Sequence, residues 1–199
     1  MFRLYQMQDS GNCYKVRLVM NQLNLPFESI EVNILDGESR TDEFLHKNLN
    51  GRVPTLQIND STYLPESNAI LWYLAEGSSL IPDDRLSRAR VLQWMFFEQY
   101  SHEPFIATSR FWISILKQPE KFSEQISSKK AGGEAALKVM DRHLQSHNFF
   151  AGSAYSIADI SLYAYTHVAD EGGFNLAPYP AIDDWFRRVR GQAKHVTIV

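Results

Sequence analysis

Gly51-Arg52-Val53-Pro54-Thr55-Leu56-Gln57-Ile58-Asn59-Asp60-Ser61-Thr62-Tyr63-Leu64-Pro65-Glu66-Ser67-Asn68-Ala69-Ile70 is punctuated as a strand, a turn, a second strand and the start of a helix. Thr55 to Ile58 and Thr62 to Leu64 carry strand-forming residues around three turn formers, which predicts a β-hairpin. Ser67 to Ala75 follows with an apolar helical face. Upstream, Phe2 to Tyr5 reads as a strand, and Tyr14 to Leu23 places Val16, Val19, Met20 and Leu23 at helical spacing. Pro26 stops that helix, Phe27 to Val32 reads as a second strand, and Thr41 to Lys47 as a short helix. The order is βαβ, then a helix, then ββα, which predicts a mixed sheet with helices on its faces.

Gly77 to Asp84 is rich in turn formers and lacks helical periodicity. Beyond it the pattern is helical almost to the end: Leu86 to Phe111, Glu134 to Gln145, Ser156 to Val168 and Ile182 to Arg190. Pro104 is expected to kink or break the first of these, and Lys117-Gln118-Pro119 and Gly132-Gly133 mark further breaks. The expected division is an α/β domain over residues 1–76, a linker over 77–86 and an all-helical domain over 87–199.

Composition narrows the function classes. A chain of 199 residues with 44% hydrophobic and 22% charged residues can build a core without a metal or disulfide staple. Net charge is −3, and Lys plus Arg number 6 against 10 Asp plus Glu through Glu76, so no bulk field draws nucleic acid or anionic lipid. The longest apolar run, Ala69 to Ala75, is far short of the ~18 residues of a membrane span, and the first residues do not read as a signal peptide. The single cysteine, Cys13, excludes an internal disulfide and a multi-cysteine zinc site, and suits a reducing cytoplasm.

Three short motifs carry chemistry. Ser10-Gly11-Asn12-Cys13 stands at a predicted helix N-terminus after the first strand, where unpaired N–H groups and the helix dipole favour an anion. Redox proteins built on βαβ place Cys-x-x-Cys there; this chain reads Ser-x-x-Cys, which excludes self-contained dithiol chemistry. Ser10 reads equally as a helix cap, and Cys13 as a small buried apolar residue. Val53-Pro54, a β-branched residue before a proline that opens a strand, is a candidate cis bond that would turn the Val53 backbone toward an extended peptide ligand. Glu66-Ser67 begins another helix, where a backbone N–H and a hydroxyl suit a carboxylate and Glu66 an ammonium; capping is the plainer reading. Ser156-Ile157-Ala158-Asp159 reads as a capping box, with a structural rather than chemical role for Asp159.

Taken in order on this frame, these motifs resemble a cytosolic glutathione transferase, nearest to the serine-using nu-, theta- and zeta-like classes. The resemblance covers nearly the whole chain, including Gln93-Trp94-Met95-Phe96-Phe97-Glu98 and Ser156 to Asp159 in the helical half. It implies a thioredoxin-like N-terminal domain joined to a helical bundle. It implies glutathione as co-substrate without a metal, a homodimer in the cytoplasm, and neither a membrane nor a nucleic-acid partner. Ser10 and Asn12 fall at the thiol-facing positions, with Cys13 a minor alternative. Val53, with Pro54 in the cis form, matches the cysteinyl contact, Glu66 and Ser67 the γ-glutamyl contacts, and Arg40 and Arg52 the glycyl carboxylate. Tyr100, His102, Phe105 and Trp112 are candidates for an apolar second-substrate pocket, or for core packing. The implied activity is attack of the glutathione thiolate on small, largely apolar electrophiles. The alternatives are a glutathione-dependent disulfide reductase or peroxidase, and a non-catalytic scaffold that keeps the fold.

Overall fold

Leu4 lies fully buried at the middle of the first strand, opposite Ser29 on one side and Leu56 on the other. The computed structural model describes residues 1–198 and builds the first unit around that strand. β1 (Phe2–Gln6) pairs in parallel with β2 (Phe27–Glu31) and antiparallel with β3 (Thr55–Asn59), which pairs with β4 (Thr62–Pro65), giving the order β2-β1-β3-β4. Parallel neighbours need a crossover, supplied by α1 (Gly11–Gln22). Every residue of α1 from Cys13 to Met20 is buried, so it is an internal helix rather than one with a single apolar face. Asn24 ends it in the left-handed conformation at φ 54°. α2 (Asp42–Leu45) is capped by Thr41, and α3 (Ser67–Ala75) packs Ile70, Leu71 and Leu74 inward. The expected βαβ–α–ββα order is the observed one.

The second unit runs from Ser79 to Gln192 and is helical. Its division from the first falls at Ser78, and Leu80 and Ile81, expected in a linker, are buried. α4 (Arg85–Phe97) is followed by a π-turn over Glu98–His102, and α5 (Glu103–Arg110) begins with Pro104 in its first turn. The expected kink or break at Pro104 is met by this widened turn, after which α5 starts afresh with the proline where no N–H is needed. Gly132-Gly133 is no break either: α6 (Ser123–Leu144) runs straight through it. A Cβ on Gly132 would lie 2.3 Å from the Phe105 ring, and one on Gly133 2.2 Å from Phe174. The pair is a slot for two aromatic rings.

α7 (Ile157–Thr166) is buried along its whole length, and α8 (Pro180–Arg190) packs Ile182, Trp185, Phe186 and Val189 inward. The Asp159 carboxylate accepts from the backbone N–H groups of Phe150 (3.1 Å) and Ser156 (3.0 Å), the Ser156 hydroxyl (3.1 Å) and Trp185 Nε1 (3.0 Å). It closes the expected capping box and ties α7, α8 and the residue-150 turn together.

Residues 193–198 return to the first unit, although the sequence pattern assigned them to the helical half. The buried Arg17 guanidinium donates to the carbonyls of Gln8 (2.9 Å) and Ile198 (2.7 Å) and to Gln6. Gln8 Nε2 donates to the same Ile198 carbonyl (2.8 Å), and the Tyr14 hydroxyl to that of Val196 (2.7 Å). Among the described residues, no helix is long and apolar enough to cross a membrane.

Candidate functional site

Strand register gathers the motifs at one end of the sheet. Tyr5 lies opposite Thr55, and Thr55 opposite Pro65. The chain therefore leaves that end three times: after Gln6 toward Ser10, before Thr55 through Val53-Pro54, and after Pro65 into Glu66-Ser67. This is the carboxyl end of β1, where open α/β sheets place ligands.

Ser10 is the N-cap of α1: its hydroxyl accepts from the Cys13 N–H at 3.3 Å, which leaves the hydroxyl proton to serve as a donor. Cys13 is fully buried and its sulfur accepts from the Met7 N–H at 3.4 Å. Burial pushes its thiol up to about 11, despite the lowering effect of its hydrogen bonds with Ser10 and Met7, so Cys13 braces the loop from inside.

Asn12, half-buried in the first turn of α1, meets Ser67 directly: the Ser67 hydroxyl donates to Asn12 Oδ1 at 3.1 Å. Beneath them the fully buried Lys15 donates from Nζ to Ser67 Oγ at 3.4 Å. The Ser67 hydroxyl, expected to face a ligand, bonds within the protein to Asn12 and Lys15. Glu66 before it is exposed and holds φ 70°, a conformation that costs a non-glycine residue ~1–3 kcal/mol. The Glu66 side chain does not cap α3.

The Val53–Pro54 bond is cis. Among the described residues, none hydrogen-bonds to the backbone N–H or C=O of Val53. The approach to this bond is built by Asn48, whose buried amide donates to the Arg52 carbonyl (2.8 Å) and Thr55 Oγ1 (3.2 Å) and accepts from the Asn50 N–H (3.0 Å). Arg40 Nη1 donates to the Asn50 carbonyl at 2.8 Å, and Gly51, at φ 59°, leaves no room for a Cβ against Ser39 and Arg40. Arg40 therefore holds the loop as well as offering charge beside it, while the Arg52 side chain is exposed.

The four second-substrate candidates do not form one group. Tyr100 is 85% exposed, whereas His102 is fully buried with Nε2 2.9 Å from Thr166 Oγ1. His102 is thus packed inside the helical unit, the core position that was its other reading. Phe105 packs in the Gly132 slot beneath Lys129, and Trp112 stacks on Phe122 with centroids 5.2 Å apart. Among the described residues no three His, Cys, Asp or Glu side chains come together as a metal site.

The sequence reading passed over Lys15 and Asn48. Lys15 sits three residues after Asn12, on the same helix face, inside a helix whose neighbours are apolar; that spacing is the signal that could have found it. Asn48 opens Asn48-Leu49-Asn50-Gly51, a run suited to side-chain-to-backbone turns.

Comparison with known proteins gives two matches to family models: one described as glutathione S-transferase, N-terminal domain, over residues 4–80, and one as glutathione S-transferase, C-terminal domain, over residues 93–193. A solved structure from Pseudomonas fluorescens Pf-5, described as a glutathione S-transferase, is 48% identical with a TM-score of 0.97, over 100% of this chain and 98% of that one. Glutathione S-transferase 2 of Anopheles gambiae is 30% identical over 94% of this chain and 88% of its own length. The disulfide-bond oxidoreductase YfcG of Escherichia coli is 26% identical, covering 91% and 86% respectively.

Proposed function

The chain belongs to the glutathione S-transferase family, and from that premise we propose that it binds glutathione at the β1–α1 end of the sheet and activates its thiol for attack on small, largely apolar electrophiles. The observation that carries this reading is the convergence of Ser10, Asn12–Ser67 and the cis Val53–Pro54 bond at one sheet end. The γ-glutamyl carboxylate is received by the N–H groups that open α3, and its ammonium by Glu66. The cysteinyl backbone pairs with the N–H and C=O of Val53, in the manner of an added strand. Arg40 and Arg52 supply charge for the glycyl carboxylate.

This placement sets the glutathione sulfur over the first turn of α1. A free thiol has a pKa of ~8.5 and is mostly protonated at neutral pH, whereas the thiolate is the nucleophile. Donors from the Ser10 hydroxyl and the Asn12 amide, with the α1 dipole behind them, favour the anion. Lowering the pKa by two units takes about 2.7 kcal/mol, within the range of one or two charge-assisted hydrogen bonds. The thiol proton passes to solvent, the sulfur forms a bond to the electrophilic carbon, and the leaving group, where there is one, departs with its electron pair.

A second reading draws on the similarity to YfcG: reduction of a disulfide, with glutathione supplying every thiol because Cys13 is buried. Retention of the three-part site favours either enzyme over a non-catalytic scaffold. The exposed Leu92 and Phe96 (67%) on α4, with Tyr100 in the π-turn that follows it, suit burial by a second copy, and we take the working form to be a homodimer.

The test is titration with glutathione while the thiolate absorbance is followed across pH, in wild type and Ser10→Ala, with turnover on an activated aryl halide and on a small disulfide. The expected result is binding with a lowered thiol pKa that rises in Ser10→Ala. Faster turnover of the aryl halide supports the transferase and of the disulfide the reductase; absence of binding refutes both.

A further inference from the structure

We propose that Glu31 and Arg17 are positioning residues: they clamp the turn that delivers Ser10, so that its hydroxyl meets the glutathione sulfur in one fixed direction. This rests on the glutathione reading above and adds to it two residues that act through Gln8 rather than on the ligand. Ser10 enters α1 from a turn over residues 7–10, closed by the Ser10 N–H on the Met7 carbonyl at 3.1 Å. Gln8 is the first central residue of that turn, and a charged side chain holds each of its backbone groups. Its N–H donates to Glu31 Oε1 at 2.7 Å, at the end of β2, and its carbonyl accepts from Arg17 Nη2 at 2.9 Å, on α1.

The Gln6 side chain spans the same two charges. Its Nε2 donates to Glu31 Oε2 at 3.0 Å, and its Oε1 accepts from Arg17 Nη1. A side-chain amide and the backbone of Gln8 thus lie side by side between one carboxylate and one guanidinium. Every direction in this ring is fixed, because an ionised carboxylate only accepts and a guanidinium only donates. The Ile198 carbonyl adds a third support, accepting from Arg17 Nη2 at 2.7 Å and from Gln8 Nε2 at 2.8 Å.

A hydroxyl serves a thiolate only over a narrow range of angles, since hydrogen bonds weaken steeply below about 120°. Ser10 stands two residues beyond the clamped Gln8, with its oxygen already accepting from the Cys13 N–H at 3.3 Å, so the aim of its proton follows the turn. The charge of Glu31 pulls the other way. The Cys13 thiol beside this loop is raised chiefly by burial, and the Glu31 carboxylate raises it further. Field and geometry of Glu31 therefore act on a thiolate here with opposite sign, which makes them separable.

The experiment measures the thiol pKa of bound glutathione, with KM and kcat, in wild type, Glu31→Gln, Arg17→Lys, Ser10→Ala and Glu31→Gln/Ser10→Ala. Glu31→Gln is nearly isosteric at an exposed position, and loss of its field alone would lower the thiol pKa. The expected result is instead a rise of about one unit, a roughly tenfold loss of thiolate on the acid side that is recovered on raising the pH. Neutral-pH kcat falls with it while the KM for glutathione holds. Arg17→Lys keeps the charge but loses the planar fork that serves Gln6 and Gln8 together, and should raise the thiol pKa as well. In the Ser10→Ala background Glu31→Gln should no longer raise it. A thiol pKa unchanged or lowered in Glu31→Gln, or unchanged in Arg17→Lys, overturns the clamp while leaving the glutathione site standing. A rise of equal size with or without the Ser10 hydroxyl also overturns it, because the effect then does not pass through Ser10. Should the buried Arg17→Lys fail to fold, Glu31→Gln carries the test. Wild-type protein that does not bind glutathione overturns the site reading and the clamp together.

Discussion

Asp159→Ala tests whether one buried carboxylate organises the helical unit. The change removes the acceptor of three buried N–H donors, on Phe150, Ser156 and Trp185. Each unsatisfied donor costs ~1–3 kcal/mol, so the gross loss is about 3–9 kcal/mol. Against it stands the cost of keeping Asp159 ionised. Burial pushes its pKa from 3.8 up to about 6, outweighing the lowering effect of its four hydrogen bonds, which at pH 7.5 amounts to about 3 kcal/mol that the alanine no longer bears. A net loss of ~3 kcal/mol is expected at that pH. Because the folded pKa lies above the unfolded one, the folded state takes up its proton first on acidification. The stabilisation from this group is complete below 3.8 and is lost as pH rises through about 6. The gap between wild type and Asp159→Ala should therefore widen by about 1.4 kcal/mol between pH 7.5 and pH 5. Urea unfolding by tryptophan fluorescence and far-ultraviolet circular dichroism measures it, the two probes together checking that the two units unfold as one transition. A variant more stable than wild type at pH 7.5, or a gap that narrows on acidification, refutes the reasoning.

Two further outcomes follow from burial and exposure. Cys13, with its thiol pushed up to about 11, should react with a disulfide reagent at pH 8 at least a hundredfold more slowly in the folded protein than in denaturant; equal rates would refute its placement. Phe96→Asp, on the exposed α4 stripe, should leave circular dichroism unchanged and convert a dimer to a monomer in sedimentation velocity; an unaltered dimer moves the interface elsewhere.

What the amino-acid pattern disclosed was local or repeated locally. The hairpin around Asn59-Asp60-Ser61, the strand–helix alternation and the Ser156–Asp159 capping box each rest on residues within a few positions of one another. The interruption expected at Pro104 is there as a π-turn, whereas tertiary packing overrode the break expected at Gly132-Gly133, where Phe105 and Phe174 fill the space the glycines leave. The site residues Ser10, Val53-Pro54 and Glu66-Ser67 were legible from motif order. Their convergence rests on pairing between Tyr5, Thr55 and Pro65, and the commitment of the Ser67 hydroxyl rests on Asn12 and Lys15, more than 50 positions away. His102 shows the limit from the other side, since its partner Thr166 lies 64 positions on.

The return of residues 193–198 to the sheet unit makes the helical unit, topologically, an insertion between two parts of one domain. During synthesis the sheet emerges first, and the Val196 and Ile198 carbonyls that Tyr14, Gln8 and Arg17 reach follow only after the whole helical unit. At ~5–20 residues per second the wait from residue 78 to residue 198 is roughly 6–24 s. Over that interval Arg17 keeps Gln6 and the Gln8 carbonyl but lacks its third acceptor, and the β1–α1 loop lacks the tie between Gln8 and Ile198. Completion of the sheet unit thus waits on the helical unit inserted between its parts, and a fragment cut at Ser78 would hold the motifs without the Val196 and Ile198 carbonyls.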